Sequence, residues 1–195
     1  MSGAVRVLPL FPLNTVLFPG GPLPLRIFEP RYIDMVSHCM RENSGFAVVL
    51  ITEGNEIAAT ASFAATGTEA SIVDFDRLEN GLLGINCIGR ERVRVLEAWR
   101  EADGLNRGRV VAIDADPVLP VPVAQAWLAD VVQRALPQAG DIYRHVEVHD
   151  DAAWVGNRLA EMLPLSLADK QALLELTDPL ERLAALEPAV SRTES

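Results

Sequence analysis

The spacing of apolar positions changes along the chain, short alternating or continuous runs giving way to helical repeats. Val5–Leu10 and Leu23–Phe28 read as two extended pieces, because Pro9, Pro12, Pro19, Pro22, Pro24 and Pro30 are set among large apolar residues. Proline lacks a backbone donor and fixes φ, so no long helix runs through them, and each preceding residue is pushed toward extended geometry. A turn at Phe18-Pro19-Gly20-Gly21-Pro22 joins the two pieces. Glu29-Pro30 then opens a helix predicted over Pro30–Glu42, with proline at the first helical position. Its apolar face is expected at Ile33, Val36 and Met40, and Ser44-Gly45 is expected to end it. Further strands are predicted at Phe46–Ile51, Ile57–Ala65, Glu69–Asp74, Leu82–Ile88, Glu91–Trp99 and Gly108–Asp114. Asn80-Gly81 marks a hairpin turn, Gly89 a break, and the alternation slips phase near Leu96.

At Asp116–Pro122 the pattern changes, since Pro117, Pro120 and Pro122 make a stiff, extended linker. Helical spacing follows in Val123–Leu136, which Pro137 closes, and in Asp150–Leu163. Ser166-Leu-Ala-Asp169 and Asp178-Pro-Leu-Glu181 have the form of capped helix starts. The expected class is therefore α+β: a β-rich lobe with one inserted helix over 1–116, then a small helical lobe over 117–195.

Composition adds limits. The 195 residues are 49% hydrophobic and 23% charged, ordinary for a globular chain with a real core. A net charge of −10 disfavours nonspecific binding to nucleic acid or anionic membrane, which needs clustered cations. Lys170 is the only lysine, so the remaining cations are arginines suited to planar, bidentate pairing. Cys39 and Cys87 lie far apart in apolar surroundings and are expected as buried thiols rather than a disulfide. No secretory signal or membrane span is expected, which points to the cytoplasm.

Several groups have the residue types of chemistry. His145-Val-Glu147-Val-His149 offers metal-ligand types, but its spacing is not that of the metalloprotease helix, and a solvated connecting loop is the expectation. Ser166 and Lys170 resemble an acyl-transfer pair. Ser166 is better read as a helix cap reciprocated by Asp169, with Lys170 charged and exposed on the first turn. Arg90, Arg92 and Arg94 alternate on a predicted strand, yet no aromatic residues interleave to stack bases. A solvated, ion-paired sheet face is expected instead. No phosphate-binding glycine loop or nucleophile elbow occurs, so no cofactor, catalytic residue or metal site is assigned. Among the large apolar groups, Phe18 is singled out as the hardest to bury, because it adjoins the Pro-Gly-Gly-Pro turn.

A family resemblance rests on several motifs in order: Pro9-Leu-Phe-Pro-Leu13, Val16-Leu-Phe-Pro-Gly20 and Leu25-Arg-Ile-Phe-Glu-Pro-Arg-Tyr32, then Gly67-Thr-Glu-Ala-Ser-Ile72, Gly81 and Gly89-Arg-Glu-Arg92. Leu163-Pro164-Leu165, Lys170-Gln171, Leu173-Leu-Glu175 and Arg182-Leu183 continue the series. The whole resembles the amino-terminal, substrate-binding domain of Lon proteases, with Val93 where that family usually has Phe.

That resemblance implies a PUA-like β pseudo-barrel backed by a helical bundle, standing alone without the ATPase and Ser-Lys peptidase modules. It implies recognition, not catalysis: apolar groups would meet unfolded or exposed apolar polypeptide segments, and a sheet edge would add backbone hydrogen bonds. The candidate contact residues are Phe18, Pro19, Gly20 and Pro22 in the turn, and Phe28, Glu29, Arg31 and Tyr32 at the helix entrance. Against this stands a structural reading in which Phe28 and Tyr32 staple the helix to the sheet and the glycines only satisfy the turn. The competing functions are a scaffold that binds one folded partner, a metal enzyme built on His145 and His149, and a PUA-like RNA binder. No oligomeric state is implied.

Overall fold

A computed structural model describes residues 3–54, 62–79 and 81–193. Among the described residues six strands form one sheet: β1 (Arg6–Leu13), β2 (Pro22–Ile27), β3 (Phe46–Glu53), β4 (Ser62–Arg77), β5 (Leu83–Arg100) and β6 (Asn106–Ala112). Their order is β2-β5-β4-β3-β1-β6, and β6 also pairs with β5, so the sheet closes into a barrel. β5 is long enough to serve two neighbours on one side. Its first half, to Ile88, pairs with β2, and its second half, from Val93, pairs with β6.

Gly89 was expected to break β5 and does not. The strand passes through because a Cβ here would lie 2.3 Å from the Phe18 carbonyl, which only glycine avoids. The phase slip near Leu96 is a bulge: Val95 faces Val110 and Glu97 faces Arg109, leaving an extra residue in β5. A second bulge, where Thr68 faces Arg92 and Ala70 faces Gly89, takes Arg90 out of the alternation, while Arg92 and Arg94 keep a regular register opposite Thr68 and Thr66. Arg90 and Arg94 stay exposed, and Arg92 is buried under the helical lobe, where it donates to the carbonyls of Leu174 and Leu176.

The helix α1 spans Pro30–Glu42 as predicted and links β2 to β3, which runs parallel to β1. It ends on Asn43 in the left-handed conformation rather than at Ser44-Gly45. Its buried face is Tyr32, Met35, Val36 and Cys39, one position off the expected stripe, and Ile33 and Met40 are exposed. Cys39 and Cys87 are buried free thiols, each raised by burial, Cys87 to about 12. Of the predicted strand Ile57–Ala65, only the part from Ser62 lies within the described residues, where it opens β4. Asn80 lies outside them.

After the linker come a 3-10 turn (Val123–Gln125), α2 (Ala126–Ala135), a longer 3-10 segment (Leu136–Tyr143), α3 (Ala152–Met162), α4 (Leu167–Glu175) and α5 (Pro179–Thr193). Asp151 caps α3 by accepting from the Trp154 N–H, and Ser166 caps α4 by accepting from Asp169 N–H at 3.1 Å. Lys170 is half-buried, not exposed: its ammonium donates to the Glu161 carbonyl at 2.8 Å.

The helical core is built from Leu128, Val132, Leu159, Leu174, Leu183 and Leu186, and it takes Val16, Phe18 and Leu50 from the strand region. A second cluster joins α1 to the sheet through Phe11, Leu23, Ile27, Tyr32, Phe46 and Ile85, and Leu8, Leu10, Val93 and Val110 form a third.

Candidate functional site

A groove of about 340 Å³ runs beside β2. Its floor is apolar because Leu23, Leu25 and Ile27 alternate with Pro24 and Arg26, and the alternation turns the three aliphatic side chains toward the core cluster. Phe11, Leu13 and Tyr32 continue the apolar lining, while Asn14 and Thr15 beyond β1 and Arg26 and Glu29 supply polar groups. Phe28 stands at the rim and is 62% exposed, unusual for a phenylalanine outside an interface. Beneath it, Tyr32 stacks on Phe11 with ring centroids 3.9 Å apart and planes 6° from parallel.

Arg31 fixes this corner. Its guanidinium donates to Glu29 at 2.9 Å and to the Gly104 carbonyl at 2.8 Å, and it lies 4.7 Å from the Tyr32 ring centroid. The helix entrance is therefore held from the β5–β6 connection as well as from the strand. Phe28 is the part of the corner left in the open.

The eight residues singled out from the sequence are divided among the groove, a second cleft, β2 and the core. Phe28, Glu29 and Tyr32 line the groove, and Arg31 braces it. Pro19 and Gly20 lie instead on a second cleft of about 280 Å³, with Arg90, Trp154 and Asn157. Pro22 sits in β2 opposite Ile88. Phe18 is the clear correction: it is fully buried, packed into the helical core. The turn does not push it outward, because α3 lies against that turn and supplies the apolar surface. Leu23, Leu25 and Ile27 were missed, although their alternation with Pro24 and Arg26 marks a strand with one apolar face.

The turn is clamped by charge. Arg158, 0% exposed, donates to the Pro19 carbonyl at 2.9 Å and pairs with Glu161 at 2.7 Å. Gly20 takes φ +74 here, a conformation that favours glycine. Tyr143 reaches Glu161 at 3.3 Å. Burial pushes Glu161 up to about 7 against the opposing pull of Arg158, and it raises Tyr143 and lowers Lys170.

Arg92 is likewise not on a solvated face. It and Arg182, both buried, share Asp116, with Arg182 at 2.6 Å from the carboxylate. The two guanidiniums also bind the carbonyls of Leu173, Leu174 and Leu176 at the end of α4. Cations at a helix C-terminus meet both the open carbonyls and the dipole.

His145 and His149 lie on the connection before α3 and face different carboxylates, Asp74 and Glu147. Among the described residues no three His, Cys, Asp or Glu side chains gather as metal ligands.

The barrel closed by β6, the crossover helix and the helical layer docked through Phe18 define an α+β domain with an apolar groove at its terminal strand. The chain belongs to the family of the ATP-dependent protease La (LON) substrate-binding domain, whose model matches residues 7–191. It superposes on the crystal structure of a Lon N-terminal domain protein from Xanthomonas campestris with a TM-score of 0.78 and 39% identity, covering 94% of this chain and 98% of that one. Protein cereblon of Danio rerio is 31% identical over 124 residues, 62% of this chain and 28% of that protein. Lon protease 1 of Bdellovibrio bacteriovorus is 28% identical over 197 residues, 96% of this chain and 24% of that protease. The chain thus spans about a quarter of the length of these two relatives. Among the described residues no helix is long and apolar enough to cross a membrane.

Proposed function

We propose that this chain is a non-catalytic receptor for exposed apolar segments of polypeptides, which it takes into the groove along β2. The observation that carries the reading is the exposed Phe28 above a floor of Leu23, Leu25 and Ile27. Apolar area left in water at a preformed concavity is what a ligand gains by covering, and an exposed apolar patch rimmed by polar residues marks interaction sites. Membership of a substrate-binding family supports the same reading. The working compartment is the cytoplasm, where Cys39 and Cys87 stay reduced, and the net charge of −10 turns nucleic acid away.

The test is fluorescence anisotropy of a labelled, permanently unfolded polypeptide titrated with the protein at low and high salt. Saturable binding that persists in high salt is expected, because apolar contact is not screened. Phe28→Ala should weaken it about tenfold while leaving the melting temperature within a degree or two, since truncating an exposed side chain changes stability by only about 0.5 kcal/mol. Binding that is absent, or that vanishes with salt alone, would sink the reading.

A further inference from the structure

β2 is the terminal strand of the sheet and, among the described residues, pairs only with β5. In an antiparallel ladder successive residues point their backbone groups alternately at the partner and away from it. The Gly89 N–H donates to the Gly21 carbonyl at 2.9 Å, which places Gly21 on the β5-facing set. Leu23, Leu25 and Ile27 share its parity. Pro22, Pro24 and Arg26 then face the open edge, the positions proline requires because it has no N–H for the ladder. The open edge of this strand therefore offers three carbonyls and one N–H, that of Arg26.

The groove follows that edge. Its lining takes every residue from Leu23 to Glu29, those turned inward and those turned outward alike. An acceptor-rich edge pairs poorly with its own copy, since most of its carbonyls would meet proline rings that carry no N–H, and prolines are a known guard against such pairing. It is complementary to a strand that supplies donors.

We propose that the occupant of the groove is an extended polypeptide strand paired antiparallel and one way with β2: its N–H groups donate to the carbonyls of Pro22, Pro24 and Arg26, and its alternate apolar side chains lie against the groove floor. The inference rests on the receptor reading above and says how that receptor reads its ligand. Backbone pairing and side-chain burial are coupled by the pleat. Ligand residues that face β2 with their backbone carry side chains on the outer face, like Pro24, while residues with side chains in the groove turn their N–H groups to water.

The experiment uses a labelled ten-residue peptide of alternating leucine and threonine, with two versions N-methylated at every threonine or at every leucine. Leucines seated in the groove leave the threonine N–H groups facing β2. Methylation at threonine should cost tenfold or more in affinity, and methylation at leucine should stay within about twofold. Pro24→Ala, which restores a donor to the edge, should tighten the unmodified peptide. Equal losses from the two methylated peptides would overturn one-way pairing while leaving a side-chain receptor standing. Failure of all three peptides to bind would remove the receptor reading itself, and this inference with it.

Discussion

At the scale of single residues, the carboxylate of Asp116 holds the most charge in place. It is shared by two buried guanidiniums, Arg92 and Arg182, that cap the end of α4. Asp116→Ala leaves both without their counter-ion and should cost about 3–5 kcal/mol in urea unfolding. The exposed Arg6–Glu91 pair should by contrast lose less than about 1 kcal/mol in Glu91→Ala. Glu161 gives a pH signature. Its pKa rises from 4.5 to about 7 on folding, so it contributes stability that is full below about pH 4.5 and lost as pH climbs through 7. The melting temperature of the native protein minus that of Glu161→Gln should therefore fall between pH 4.5 and 8, and a flat difference would contradict the assignment. Neither group announces itself in sequence. Arg92 reads as one of three alternating surface cations until the end of α4 covers it, and Phe18 reads as exposed until α3 covers it, because both are buried by helices far along the chain.

At the scale of elements, local chemistry sufficed where the signal was local. The limits of α1 follow from Pro30 at its start, and the caps of α4 and α5 follow from Ser166 and Asp178. The failures came where a neighbour decides. Gly89 looks like a strand break, yet it is the point at which β5 passes under the Phe18 carbonyl as its partner changes from β2 to β6. Gly89→Ala should force these backbones apart and cost about 1–3 kcal/mol, the range for overpacking, read as a lower melting temperature. The buried face of α1 was misplaced for a related reason. Tyr32 joins it by stacking on Phe11 of β1, a contact that helical spacing alone cannot reveal.

At the scale of the whole molecule, the sheet closes where β6 returns to β5, and β2 is left as a strand with an open, proline-bearing edge. The helical layer is fastened to the β1–β2 connection through Phe18 and Arg158, and to β5 through Asp116, which bridges Arg182 and Arg92. The start of α1 is held separately by Arg31, and Phe28 stays in solvent. The α+β architecture was legible in the sequence because the apolar period changes so plainly near Asp116. The groove was legible only at its helix-entrance corner, since its aliphatic floor looks like any half-buried strand until the topology shows that strand to be terminal. The central claim is that this groove is where polypeptide binds, and backbone amide NMR of the protein titrated with an unfolded polypeptide tests it directly. Shifts confined to Leu23–Tyr32 and Leu13–Thr15, reduced in Phe28→Ala, are the predicted result. Shifts centred on the α4–α5 surface, or on the Pro19–Gly20 cleft with β2 unmoved, would contradict it.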